Sequence, residues 1–105
     1  MKTNVFLFLH LFFLLSGCES ISTSAPPLTA QLVRAGASEH ADARVLQEGR
    51  TLFLNRCIQC HALPAIQKYS AERVRGILRT MSGRANLSGP QHDAVLKYLL
   101  AVRSL

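Results

Sequence analysis

An all-α domain is what this sequence predicts, and three observations predict it. Apolar residues recur at intervals of three and four in three separate stretches, which lines one face of a helix each time. Two of those stretches open on a serine placed to cap a helix, Ser70 and Ser88. No segment alternates apolar and polar residues with the period of two that strands need, and no internal repeat is visible. At 105 residues there is room for one domain.

The chain opens on something other than domain. Val5 to Leu15 reads VFLFLHLFFLL, preceded by Lys2 and followed by Ser16 and Gly17. A basic start, an apolar run too short for a spanning helix and small residues after it make residues 1–17 an export signal peptide. LSGC, from Leu15 to Cys18, resembles the lipobox of bacterial lipoproteins, whose cysteine is acylated and becomes the mature N-terminus. The plainer alternative is cleavage at a nearby small-residue site such as STSA, which would discard Cys18. Several acyl chains anchor a protein stably where one alone is marginal. Glu19 is not the aspartate-type retention signal that some bacteria use, which leans toward the outer membrane.

Residues 18–41 are rich in Ser, Ala and Pro, with Pro26 and Pro27 adjacent, a composition that suits a flexible tether; the LTAQLV patch within it has the makings of a helical turn. The domain proper is expected over 42–105. Val45, Leu46, Gly49, Leu52 and Phe53 mark a first helix from Asp42 to Arg56, whose interior glycine costs about 1 kcal/mol against alanine and so calls for a close approach. Val74, Ile77, Leu78 and Met81 mark a second from Ser70 to Ser82, with Gly83 as its stop. A third begins at Ser88, where Gln91 completes a capping box and Pro90 is tolerated in the first turn; its stripe is Val95, Tyr98, Leu99 and Val102.

About 64 residues is close to the limit for a self-sufficient core, so a staple is expected. The only cluster that can supply one is CIQCH, from Cys57 to His61. A zinc site normally closes with four ligands, and no second pair accompanies these. A redox dithiol is expected beside a βαβ pattern, which the chain lacks, and it leaves His61 without a role. C-x-x-C-H reads instead as attachment of haem c: two thiols add to the porphyrin vinyl groups and the following imidazole meets the iron. Export agrees with this, since haem is joined to such proteins outside the cytoplasm.

From Asp42 to Arg103 the sequence resembles a small bacterial monohaem cytochrome c domain. EGRTLFLNRCIQCH is similar to that family's first helix and haem motif, and AVLKYLLAV to its closing helix. The resemblance implies that Gly49, Phe53 and Tyr98 let the first and last helices cross closely. It also implies that the carbonyl of Pro64 accepts the Nδ1 proton of His61, where the alternative is a plain turn. Met81 is the one methionine after the signal and the expected sixth ligand, although its place in an apolar stripe also suits a core filler. His92, His40 or an open iron position remain as alternatives.

The expected function is therefore one-electron transport on the exported side of a bacterial membrane, with no substrate bond made. The alternatives are the cytochrome subunit of a periplasmic dehydrogenase complex, and a haem peroxidase or ligand sensor with an open iron site. The chain holds no cofactor loop, no paired carboxylates and no nucleophile with a base. Its net charge is +6, and removal of Lys2 still leaves 11 basic side chains against 6 acidic ones. That excess favours acidic redox partners and an anionic surface over nucleic acid, which an exported protein does not meet. Arg73, Arg75, Arg79 and Arg84, with Lys68, concentrate it; most are expected in solvent, with one or two free to pair with haem propionates.

Overall fold

Four α-helices lie among the residues described by the structure, a computed structural model covering residues 24–57 and 65–105, and no strand occurs among them. They are α1 (Ala30–Ala37), α2 (Ala43–Leu52), α3 (Ala71–Arg84) and α4 (Gly89–Arg103). A π-helical turn, Phe53–Cys57, prolongs α2, and a 3₁₀ turn, Ile66–Lys68, leads toward α3. The expected signal peptide over 1–17, Cys18, Cys60, His61 and Pro64 lie outside the described residues.

Each helix starts on a side chain that satisfies an otherwise orphaned amide. Thr29 accepts from the Leu32 N–H at 3.1 Å, Asp42 from Val45 at 2.8 Å and Ser70 from Arg73 at 3.1 Å. Ser88 and Gln91 form the reciprocal capping box, with the Ser88 N–H donating to Gln91 Oε1 at 3.0 Å. Such caps contribute about 1 kcal/mol each.

The helix ends differ from expectation at α3. Gly83 does not stop it; the helix runs on to Arg84 and reverses at Asn86, whose φ of 52° is left-handed. The Asn86 N–H reaches the Gly83 carbonyl at 3.3 Å and the Leu87 N–H reaches Ser82 at 3.0 Å, the paired bonds of a Schellman ending. Asparagine tolerates that conformation, so it carries the reversal and the glycine stays helical. His40, φ 54°, ends α1 the same way, with the Ala41 N–H on the Gly36 carbonyl at 3.0 Å.

Close approach of α2 and α4 sits at the centre of the core. A methyl group on Gly49 would strike the Ala94 carbonyl, 2.7 Å from its carbon, and lie 2.8 Å from Tyr98 Cβ. Only a residue without Cβ lets the two backbones meet there, which accounts for a glycine inside a helix. Phe53 and Tyr98 pack beside the crossing with ring centroids 6.3 Å apart and planes tilted by 49°.

The tether expected over 18–41 gives way, from Ser24 on, to packed structure. Leu32 of α1 is fully buried, and Gly36 is seated so that a methyl there would come within 3.1 Å of Leu46 Cγ. Ala25 is fully buried as well. Arg50 Nε donates to the carbonyls of Ala25 at 3.2 Å and Pro26 at 3.0 Å, and the Tyr98 hydroxyl donates to Pro26 at 2.8 Å. Serine, alanine and proline suggest a linker because they lack apolar bulk; here their small size, and carbonyls that no helix uses, suit a segment laid over a helix pair. Burial pushes the Tyr98 phenol up to about 12, against the opposing pull of the Arg50 charge and hydrogen bond.

Candidate functional site

On the opposite side of the core the described residues border a hollow. The continuous helix expected from Asp42 to Arg56 is α-helical only to Leu52, then opens into the π turn that ends at Cys57. Single π turns are frequent at functional positions. Cys57 is left half-buried on the wall of a hollow of about 720 Å³, part of it open to solvent.

Buried Phe53, Ile66, Leu78 and Leu99 form the deep part of that hollow, and Ile77 and Met81 continue its wall along α3. Val74, Leu78 and Met81 follow one face of α3, so the apolar spacing of this helix puts Met81 on the wall of the same hollow as Cys57. Exposed Arg56 and Arg84 stand at its open edge, with Ala85. Arg56 Nη1 donates to the Ala85 carbonyl at 3.4 Å, and the Ala85 N–H donates to the Met81 carbonyl at 2.8 Å. Residue 85 thus links the turn that carries Cys57 to the helix that carries Met81.

The three candidate sixth ligands separate in space. Met81 lines the hollow; His92 and His40 are not among its lining residues. The Nδ1 of His92 pairs at 2.5 Å with the Ser82 hydroxyl, which also lies 2.8 Å from the Leu78 carbonyl. His40 occupies the left-handed position after α1. Cys60, His61 and Pro64 are outside the described residues, so the structure brings together Cys57 and Met81 of the expected set.

Of the basic cluster, Arg73, Arg75, Arg79, Arg84 and Lys68 are all exposed, and Arg84 alone of the five borders the hollow. Sequence reading missed Arg56, whose position directly before the motif was the signal at hand, and Ile66, which no periodicity marks because it lies in a single 3₁₀ turn. Arg103, from the end of α4, holds that turn by donating to the Tyr69 carbonyl at 2.8 Å. Comparison with protein-family models, with curated proteins and with solved structures gives no match to this chain.

Proposed function

We propose that this chain is an electron-transfer protein that binds one haem covalently through Cys57 and Cys60, exported and anchored at a membrane through acylated Cys18. The observation that carries the reading is the meeting of Cys57, first residue of C-x-x-C-H, with Met81 at one apolar hollow. The residues present fit the group. Aliphatic and aromatic walls suit the faces of a porphyrin, the Cys57 thiol is the group that would add to a vinyl, and the Met81 thioether is a ligand type that haem iron takes. The glycine-mediated crossing of α2 and α4, with Phe53 and Tyr98 beside it, is what the cytochrome c resemblance implies and supports it further.

Haem bound there supplies a one-electron Fe(III)/Fe(II) couple. His61 and Met81 would hold the iron, and the Pro64 carbonyl would orient His61 by accepting its Nδ1 proton. Phe53, Ile66, Leu78 and Leu99 would shield the group from water, which favours the less charged state, and ligation by Met81 together with His61 would raise the potential in the same direction. Arg56 and Arg84 put positive charge at the open edge, where it suits propionates and steers acidic redox partners.

The test is the visible spectrum of mature protein made in a cell competent in haem ligation. Sharp α and β bands on reduction, surviving acid-acetone extraction, are expected, and Met81→Ala should abolish the far-red ferric band of thioether ligation and raise the spin. A colourless product with reactive motif thiols overturns the proposal, and a spin state indifferent to Met81→Ala transfers the chain to the peroxidase or sensor class.

A further inference from the structure

Arg50 and Tyr98 clasp the chain ahead of α1. Both reach the Pro26 carbonyl, Arg50 also takes that of Ala25, and Ser24 beside them is only 8% exposed. Among the described residues packed structure therefore reaches back to Ser24, and only residues 19–23 lie between it and Cys18. Even fully extended, that stretch spans about 20 Å, whereas a tether running to residue 41 would reach about 80 Å.

We propose that the clasp makes this a membrane-surface protein on a short leash: its body stays within about 20 Å of the bilayer, and its redox partner is a membrane-bound protein that presents an acidic surface at that height. The inference rests on the lipid-anchored electron-carrier reading and names the partner class for it. Charge supports the acidic partner. Arg73, Arg75, Arg79 and Arg84 project from α3 with Glu72 as the only acidic residue of that helix, while the ion pair among the described residues, Asp93–Lys97 at 2.9 Å, lies on α4. An uncompensated cationic helix beside the hollow attracts a negative surface and sets its orientation. A clasped domain cannot swing to a distant partner, so the partner must come to it.

Trypsin tests the clasp directly, because Arg34 is the single tryptic site between Cys18 and Ala43. On membranes carrying the full chain, the domain should stay bound, and Arg50→Ala combined with Tyr98→Phe should speed its release at least tenfold. Release of the unmodified domain at the rate of an unstructured peptide overturns the inference. A second measurement does not depend on those variants. Energy transfer from dye-labelled phosphatidylethanolamine to a dye on Lys68 and Lys97 should fall severalfold when about 20 Gly/Ser residues are inserted between Thr23 and Ser24. Equal transfer with and without the insertion overturns the short leash. Mass analysis showing Cys18 unacylated overturns it too while leaving the haem reading intact; a colourless but membrane-held domain fails the haem reading alone.

Discussion

The two flanks of α4 end in opposite ways. On one, Ala94 and Tyr98 close against Gly49 and Phe53 of the α2 arm, and α1 with its lead-in seals what remains, Leu32 and Leu46 both fully buried. On the other, Leu99, Leu78, Met81 and Cys57 line one hollow that is partly open to solvent. Interiors ordinarily pack to crystal density, and a cavity costs stability in proportion to its volume. Among the described residues, one flank of α4 is closed and the other borders an apolar hollow beside Cys57.

That contrast can be broken at its tightest point. Gly49→Leu puts a branched side chain where even a methyl group meets the Ala94 backbone, and backbone cannot yield as a side chain tip can. A loss above about 3 kcal/mol is expected, with Tm lower by more than about 10 °C in thermal unfolding. A variant as stable as the parent would mean that α2 and α4 do not cross as described.

Truncating one residue on each flank sharpens the comparison. Leu46→Ala opens a new void in a closed region and should cost about 3 kcal/mol in urea unfolding. Ile77→Ala, on the wall of an existing hollow, should cost about 1 kcal/mol in cofactor-free protein, since few contacts are lost there. The gap should narrow once the hollow is filled, because Ile77 then gains a packing partner.

The smallest effect concerns the clasp. Tyr98→Phe removes the hydrogen bond to Pro26 and should cost about 1 kcal/mol. Its pH dependence is more distinctive. The folded-state pKa of Tyr98, about 12, lies above the ordinary 10.0, so the folded state retains the proton longer than the unfolded chain does. The associated stability is complete below pH 10 and lost as pH rises toward 12. Unfolding free energy measured across that window should therefore fall more steeply in the parent than in Tyr98→Phe.

Much of the architecture is legible in residues that lie close together along the chain. Periodicity locates the three helices over 42–105 because each buries one stripe. Ser70 and Ser88 read as caps because a cap acts on an amide three residues away, and Thr29, which the sequence reading passed over, caps α1 by the same local bond. Gly49 announces a close approach because helix propensity alone disfavours it. The failures share a cause. Gly83 has the residue type of a stop, yet a glycine ends a helix only where the backbone turns left-handed, and here that happens at Asn86. The stretch ahead of α1 has the composition of a tether because it offers little apolar surface of its own; what holds it comes from Arg50 and Tyr98, 24 and 72 residues beyond Pro26.

By itself the sequence determined the helical class, the caps, the apolar stripes and the C-x-x-C-H motif, because each is written in residues a few positions apart. Only the tertiary structure decided that Cys57 and Met81 share one hollow, that His40 and His92 do not line it, and that packing reaches back to Ser24. Those outcomes depend on which faces meet once the helices pack, and contacts between distant parts of a chain leave no local pattern from which to read them.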